Sequence, residues 1–372
     1  MGVFSTSSLM TDHIKTTVNN RLGCLTLDRP RALNALSLDM VRAMTAVLSA
    51  WRDDPAIDAV VIRGSEGRAF CAGGDIRYFY QVATTTPLGG SATLEDFFTE
   101  EYALNHLIHF FPKPYIAFMD GIVMGGGMGI SQSGPAQRMR IVTERTRMAM
   151  PEVNIGLFPD VGGSHFLPRA RGCSGIYLGL TGHIIDGAQA VHEGLADVLI
   201  AHEQLDALRQ RLASEPIDRW RDTVAAFALP VPTIAAAGAS DPHEHDAAID
   251  RHFALPTVAA IMASLAQDAS PFAQAALASM HKRSPLMLCV TLEQLQRGAG
   301  MSVADCLRME RSMVRHCFEH SDVVEGIRAA VIDKDDAPRW NPVALEAVQP
   351  EQVARFFTPV WPDGAHPLRH LD

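Results

Sequence analysis

Two carboxylates, Glu152 and Asp160, lie eight residues apart in a segment that is otherwise apolar and interrupted by glycine and proline. Burial among apolar groups raises the pKa of an acid, and two acids in one pocket can differ in pKa, so the pair is suited to acid–base or nucleophilic chemistry. Helix caps, or ion pairs with Arg145, Arg147 or Arg169, would also place acids beside glycine and proline. The spacing alone leaves both the catalytic and the structural interpretation open.

Two glycine-rich segments are the second place where chemistry could occur. Residues 63–75 contain four glycines and residues 121–129 contain five. The second segment is not a P-loop, and it fails the dinucleotide pattern because Ile130 occupies the last glycine position. Unhindered backbone amides at the start of a helix can stabilise an oxyanion. A tight turn between a strand and a helix needs the same glycines, so both interpretations stay open.

Other kinds of catalytic site find less support. No GxSxG motif is present, so a serine-type hydrolase has no nucleophile. Cys71 has no histidine partner nearby in the sequence, which favours a packing role. Residues 243–246 (HEHD) are of metal-ligating types, but they lie in a proline-rich segment and lack ligands from a second element. We therefore predict no metal site.

The composition limits the classes of partner. The chain has 372 residues, 47% of them hydrophobic, which predicts a large core and two or three folding units. Its formal net charge of -10 argues against nucleic acid or an anionic membrane as partner, because either needs a concentrated basic surface. The most apolar long segment, residues 114–131, contains Asp120 and five glycines, so we expect it in the core and not across a membrane.

The cysteines and the N-terminus predict the compartment. Six cysteines lie far apart without a CxxC pair, which indicates thiols in a reducing compartment. Residues 1–12 have neither the pattern of a secretory signal nor the Arg-rich amphipathic pattern of a transit peptide. We therefore expect a cytoplasmic protein.

Alternating strands and helices must position these residues. Residues 14–18 and 22–27 predict a β-hairpin, and Ser37 is typical of a helix cap. Residues 59–62 and 115–119 are short apolar runs of the buried parallel kind, and each precedes one of the glycine segments. The alternation predicts an α/β fold whose sheet is largely parallel.

A change of composition predicts where the α/β region ends. Thr93–Asp96 has the pattern of a capping box that opens a helix, and beyond about residue 200 the pattern becomes mostly helical. Residues 216–250 are rich in proline and alanine. We predict four regions: a flexible N-terminus (1–12), an α/β core (13–215), a connector (216–256) and a helical C-terminal region (257–372).

Four ordered segments resemble the crotonase (enoyl-CoA hydratase/isomerase) superfamily: Arg29–Leu36, Arg68–Ile76, Asp120–Gly129 and Met150–Gly163. The resemblance implies a spiral of ββα units with a helical C-terminal region, and an acyl-CoA thioester as substrate. It assigns the two amides that hold the thioester oxygen to Gly74 and Gly126, and further substrate contacts to Ala32 and Ala72. Coenzyme A is then part of the substrate, and no separate cofactor is expected.

Within the superfamily, the chain is most similar to the branch of 3-hydroxyisobutyryl-CoA hydrolases. Hydratases carry a second glutamate where this chain has Gly129, and the hydrolase branch carries an aspartate at the position of Asp160. The resemblance implies that Glu152 attacks the thioester or activates water. It also implies that Asp160 and Glu101 bind the substrate, with Asp160 assisting the catalysis.

Two other functions remain open at this stage. One is a hydratase or isomerase of the same fold, and the other is a non-catalytic CoA-binding or assembly protein, because a fold does not determine a function. Relatives in this superfamily are often oligomers, so a homo-oligomer is possible.

Overall fold

The computed structural model describes residues 11–65, 68–86, 91–132, 134, 138–231, 242–362 and 364–372. In these residues the strands are β1 (Ile14–Asn19), β2 (Leu22–Leu27), β3 (Ala59–Gly64), β4 (Ala69–Cys71), β5 (Tyr115–Met119), β6 (Ile122–Met124), β7 (Arg138–Val142), β8 (Arg147–Ala149), β9 (Ile185–Asp186) and β10 (Val198–Leu199). The α-helices are α1 (Leu38–Asp53), α2 (Ile76–Thr85), α3 (Ala92–His109), α4 (Gly126–Gly129), α5 (Gly163–Phe166), α6 (Ser174–Thr181), α7 (Gly187–His192), α8 (Leu205–Ser214), α9 (Trp220–Phe227), α10 (Pro242–Phe253), α11 (Val258–Ala266), α12 (Pro271–Met280), α13 (Pro285–Gly298), α14 (Val303–His320), α15 (Val323–Ile327) and α16 (Pro350–Arg355).

The chain forms two compact units, each assembled from segments that are separate in sequence. The first unit consists of Met1–Gly74, Ala103–Met148 and Ile185–Val231. The second consists of Asp75–Tyr102, Ala149–Ile184 and Pro232–Asp372.

A six-stranded sheet with the order β1-β2-β3-β5-β7-β10 forms the centre of the first unit. β1 and β2 pair antiparallel, and the remaining neighbours pair parallel. The continuous apolar runs of β3 and β5 suit strands that are buried on both faces. Apolar side chains of this sheet pack against those of α8 and α9, including Val61, Ile116, Leu208, Leu212 and Trp220.

A second sheet has the order β4-β6-β8-β9. Its strands β4 and β6 belong to the first unit and pair parallel, with Ala69 opposite Ile122 and Cys71 opposite Val123. Parallel pairing places the carboxyl ends of these two strands at the same edge of the sheet. Within the two glycine segments, Gly73 and Gly74 come just after β4, and residues 125–129 come directly after β6.

The second unit is mainly helical. The apolar stretch of α13 is buried along nearly its whole length, and Ser284 caps the helix through the amide of Met287. An aromatic cluster joins α2, α3 and α14: Phe98 lies 5.1 Å from Phe79, 6.1 Å from Tyr102 and 5.8 Å from Phe318 between ring centroids. The cluster fixes the part of α3 that carries Tyr102.

Most of the predicted elements are present. The hairpin, the parallel strands, the cap at Ser37 and the helical C-terminal region are confirmed. The capping box at Thr93 is wrong, because α3 already begins at Ala92 and the hydroxyl of Ser91 accepts a hydrogen bond from the amide of Leu94 at 3.4 Å. Both hydroxyl residues are suitable caps, and sequence pattern alone does not choose between neighbours.

The predicted regional boundaries stay a prediction. Residues 1–10 of the predicted flexible N-terminus and residues 232–241 of the predicted connector lie outside the described residues.

No disulfide joins the six cysteines, all of which lie in the described ranges. None of the helices in the part of the chain that the structure describes is long and apolar enough to cross a membrane.

Candidate active site

The glycine segments approach each other closely in the first unit. Gly74 forms an isolated parallel bridge with Leu36 just after β4. A Cβ atom added at Gly73, whose φ is +99°, would lie 3.2 Å from the carbonyl oxygen of Met124 and 3.5 Å from the amide nitrogen of Gly126. The backbones of the two segments therefore meet where the sequence predicts the two oxyanion amides.

Glycine is required in the short helix that follows β6. A Cβ atom at Gly127 would lie 2.3 Å from the carbonyl oxygen of Cys71, a distance that no side chain tolerates. Gly125 precedes the helix with φ +50° and ψ -118°, a conformation that glycine adopts readily. All four residues of α4 are buried, and their sequence, GGMG, contains no acid.

The predicted substrate contacts Ala32 and Ala72 also lie in the first unit. Ala32 ends a short 3₁₀ helix, Pro30–Ala32. The amide of Ala72 donates a hydrogen bond of 3.0 Å to the carbonyl of Leu33, the residue that follows Ala32. This bond holds the segment of Ala32 against the segment that contains Gly74.

Glu152, in the second unit, is a buried acid that uses only part of its hydrogen-bonding capacity among the described residues. It is the first residue of a 3₁₀ helix, Glu152–Ile155, whose N-cap is Pro151. Its Oε2 atom has no hydrogen-bond partner in the described part of the protein. Burial, followed by the charge of Asp160, raises the pKa of Glu152 well above its ordinary value. Glu152 is therefore a strong base when it is ionised.

Asp160 is also buried, but it has a donor. The hydroxyl of Tyr102 donates a hydrogen bond of 2.7 Å to Oδ2 of Asp160. Burial raises the pKa of Asp160 to about 6, and the Tyr102 hydrogen bond opposes that increase. The hydrogen bond from Tyr102 therefore stabilises the ionised form of Asp160 inside an apolar region.

Glu101 completes a cluster of three acids in the second unit. Its side chain is 2% exposed, and its Oε1 atom has no hydrogen-bond partner among the described residues. Burial and then the charge of Asp160 raise the pKa of Glu101 well above its ordinary value. Because the charge of Asp160 raises the pKa of both glutamates, the three carboxyl groups interact electrostatically. Such an arrangement is common at catalytic sites.

Neither Arg147 nor Arg169 pairs with Glu152 or Asp160 in the described part of the protein. Arg169 donates to the carbonyl oxygens of His165 and Met301. Arg147 donates to the carbonyl of Thr146. Buried acids that lack a cationic partner favour the chemical interpretation over the structural one.

The comparison with protein families agrees with this geometry. The model of the enoyl-CoA hydratase/isomerase family matches residues 22–357, which is most of the chain. The chain belongs to this family.

Several relatives in the enoyl-CoA hydratase/isomerase family share more than a third of their residues with the chain. The 3-hydroxyisobutyryl-CoA hydrolase of Xenopus tropicalis is 40% identical over 339 residues, covering 90% of this chain and 86% of that protein. The 3-hydroxyisobutyryl-CoA hydrolase of Homo sapiens is 38% identical over 338 residues, covering 90% and 86%. The predicted family is confirmed, and the predicted hydrolase branch agrees with the names of these relatives.

Solved structures of the family confirm the fold. A carnitinyl-CoA dehydratase from Mycobacterium thermoresistibile superposes with a TM-score of 0.86 at 38% identity, covering 95% of this chain and 98% of that one. An enoyl-CoA hydratase from Rhodobacter sphaeroides 2.4.1 superposes with a TM-score of 0.82 at 39% identity, covering 94% and 98%.

The predicted cytoplasmic location is wrong. Both hydrolases of the family described above are named as mitochondrial proteins. The pattern of cysteines indicates a reducing environment, but a reducing environment does not identify a single cellular compartment.

Two residues of the second unit received no role from the sequence. Nothing in the spacing of Tyr102 connects it with Asp160, 58 residues away. Glu310 accepts hydrogen bonds from the amides of Gly162 and Ser164. A signal for Glu310 was available: it interrupts the apolar, buried stripe of α14 formed by Val303, Leu307, Val314 and Cys317.

Proposed function

We propose that this protein hydrolyses the thioester bond of a short β-hydroxyacyl-CoA, with 3-hydroxyisobutyryl-CoA as substrate. The observation that carries the proposal is the buried pair Glu152 and Asp160 in a chain whose helix α4 contains no acid. The names of the relatives support the same substrate. This activity would belong to valine degradation.

The first step is polarisation of the thioester. We assign this role to the backbone amides of Gly74 and Gly126, because amides that are fixed in place stabilise the oxyanion of a tetrahedral intermediate more than the planar carbonyl. The glycines permit the close approach of the two segments that contain these amides. Ala32 and Ala72 would contact the substrate.

Glu152 then carries the acyl transfer by one of two routes. As a nucleophile, its carboxylate attacks the thioester carbon, and the C–S bond breaks to give a mixed anhydride and the CoA thiolate. Water then opens the anhydride to the free acid and regenerates Glu152. As a general base, Glu152 instead takes a proton from the water that attacks the thioester carbon. The tetrahedral intermediate then breaks its C–S bond and releases the free acid and the CoA thiolate, which takes up that proton. Neither route requires a metal or a redox cofactor.

The substrate hydroxyl supplies selectivity. Glu101 retains an acceptor oxygen without a partner, and Asp160 carries a charge that favours a hydroxyl donor. An acyl group without the hydroxyl would leave the Oε1 atom of Glu101 unpaired among the described residues, which costs about 1–3 kcal/mol. We therefore assign the recognition of the 3-hydroxyl to Glu101 and Asp160.

Hydration of an enoyl-CoA is the second candidate, because two similar structures are named as a hydratase and a dehydratase. By resemblance, a hydratase needs a second glutamate at the position of Gly129. The buried sequence GGMG of α4 offers none. Hydration would then depend on Glu152 alone or together with Asp160.

Release of free thiol separates the two candidates. We expect thiol release from 3-hydroxyisobutyryl-CoA and 3-hydroxypropionyl-CoA, and little from crotonyl-CoA. Glu152→Gln and Asp160→Asn should each abolish most of it. Loss of the enoyl absorbance of crotonyl-CoA without thiol release would show that the protein is a hydratase. The oligomeric state stays a prediction, which light scattering of the same preparation would test.

A further inference from the structure

Asp160 is followed by a backbone conformation that its sequence does not favour. Val161 has φ +52°, in the left-handed region that β-branched residues rarely adopt, and Gly162 follows with φ +89°. The amide of Gly163 donates a hydrogen bond of 2.7 Å to the carbonyl of Asp160, which closes the turn. Such strain persists only where the surrounding structure imposes the conformation, and it is concentrated at functional sites.

Glu310 of α14 holds the far side of this turn. Its carboxylate accepts one hydrogen bond of 2.8 Å from the amide of Gly162 and another of 2.9 Å from the amide of Ser164. The Glu310 side chain is fully buried. A buried carboxylate that meets two backbone donors fixes both the position and the orientation of the turn.

Gln294 of α13 holds the near side. Its Nε2 atom donates hydrogen bonds of 2.6 Å to the carbonyl of Pro159 and of 2.8 Å to the hydroxyl of Ser164. Pro159 directly precedes Asp160, so hydrogen bonds from α13 and α14 fix the chain on both sides of Asp160. Tyr102 then holds the carboxylate itself.

We propose that Glu310, assisted by Gln294, is a positioning residue that enforces the strained turn at Val161 and so aims the carboxylate of Asp160. The inference rests on the proposed function, because it concerns the acid to which that function assigns the substrate hydroxyl. Glu310 itself does not touch the substrate.

The electrostatic surroundings agree with this role. Burial raises the pKa of Glu310 to about 8, and the charge of Asp160 adds to the increase, while the two backbone donors oppose it. Beyond the effect of burial on each group, the charge of Glu310 in turn raises the pKa of Glu152, Tyr102 and Cys306. Burying the acid Glu310 is unfavourable, but at this position two backbone amide donors need an acceptor.

Glu310→Gln is the variant that tests the inference. Glutamine keeps the shape, but its amide nitrogen meets one of the two backbone N–H groups as a second donor. We expect kcat for thiol release to fall at least about tenfold and KM to rise as well, because Asp160 both binds and orients the substrate hydroxyl in the proposed function. Glu319→Gln on the same helix is the control, since Glu319 is paired with Arg315, and should leave kcat unchanged.

A second substitution separates positioning from a general loss of stability. Val161→Gly removes the strain, because glycine adopts positive φ readily. The factor by which Glu310→Gln lowers kcat should therefore be smaller in the Val161→Gly background than in the wild-type background. Equal factors in the two backgrounds, or a wild-type kcat in Glu310→Gln, would overturn the inference.

Hydrogen exchange tests the positioning role of Glu310 even if the proposed function is wrong. Exchange of the amides in residues 159–166 should increase at least about tenfold in Glu310→Gln and remain unchanged in Glu319→Gln. Unchanged exchange in both would refute the positioning role whatever the enzyme does. Wild-type protein that releases no thiol refutes the proposed function alone.

If Glu310→Gln does not fold, Gln294→Met provides the same test. Methionine is similar in size and removes both hydrogen bonds to the turn, so exchange in residues 159–166 should again increase. Gln296→Met is its control on the same helix, because Gln296 is exposed and, among the described residues, its one hydrogen bond goes to the carbonyl of Pro256 at 3.3 Å, away from the turn. Faster exchange in both variants would contradict the inference.

Discussion

The candidate chemistry of the first unit is carried by the backbone, whereas that of the second unit is carried by side chains. Gly74 and Gly126 offer amides, and their environment is formed by strands, turns and the close approach of two segments. Glu152, Asp160 and Glu101 offer carboxylates that burial makes basic. The backbone site therefore requires residues without side chains. The carboxylate site instead requires buried acids that other groups of the fold hold in place.

This difference predicts opposite responses to mutation. In the glycine region, a Cβ atom added at Gly127 would meet backbone, so it should disturb the fold and the activity together. In the carboxylate region, an isosteric neutral residue removes the chemistry and leaves the fold. Stability and activity should therefore change together in the first unit and separately in the second.

The largest effect is expected from Glu152→Gln. The amide can neither attack the thioester nor take a proton from water, so kcat for thiol release should fall by about 10³-fold or more. The free energy of unfolding should stay within about 1 kcal/mol of the wild-type value, since shape and volume are kept. Steady-state thiol release and urea unfolding measure the two quantities. A variant with substantial thiol release would exclude Glu152 as nucleophile and base.

Gly127→Ala should damage stability and activity at once. The new Cβ atom would lie 2.3 Å from the carbonyl oxygen of Cys71, and backbone must move to relieve the clash. We expect a loss of about 2–3 kcal/mol in the free energy of unfolding, together with a reduced kcat. Gly300→Ala is the matched control, because no atom lies within 4 Å of a Cβ there. Equal stability of the two variants would contradict the close approach of the glycine segments.

Tyr102→Phe should have a moderate effect that depends on pH. The hydrogen bond from Tyr102 lowers the pKa of Asp160, so its removal should raise that pKa above about 6. The limb of kcat/KM that reports ionisation of Asp160 should then move to higher pH, and the rate at neutral pH should fall about tenfold. A pH–rate profile of both proteins tests this. An unmoved limb would mean that Tyr102 does not control Asp160.

The smallest effect concerns the pH dependence of stability. The pKa of Glu310 is about 8 in the folded protein and 4.5 ordinarily, so between these values the folded state binds more protons than the unfolded state. The free energy of unfolding must therefore decrease as pH rises through this range. Glu310→Gln removes that contribution, so we expect a shallower decrease. Urea unfolding at several pH values checks it, and identical slopes would count against the raised pKa.

Local signals predicted the parts of the molecule that depend on neighbouring residues. The hairpin at 14–27, the apolar strands and the cap at Ser37 each follow from a few consecutive residues. The resemblance to the family identified Gly74 and Gly126, because their predicted roles follow from the motifs that contain them and not from the periodicity of the sequence. Thr93 failed as a cap because Ser91 offers an equally suitable hydroxyl slightly earlier in the chain.

The contacts that support the acids were not predictable from local pattern. Tyr102 is 58 residues from Asp160, and Glu310 is 148 residues from Gly162. Such contacts leave no periodicity in the sequence, because each is decided by the packing of whole elements. The only trace is a polar residue in an apolar stripe, as Glu310 is in α14. Inspecting buried stripes for such exceptions is a practical way to find positioning residues.

The assembly of the second unit from distant segments has a consequence for biosynthesis. On the ribosome, Asp160 emerges well before Gln294 and Glu310, so the turn at Val161 lacks the support of Glu310 until nearly 150 further residues have been translated. The strands of the first unit are complete by residue 199 and can pair earlier. A nascent chain stalled before α14 would therefore contain the glycine segments and the reactive acids without the restraint that aims them.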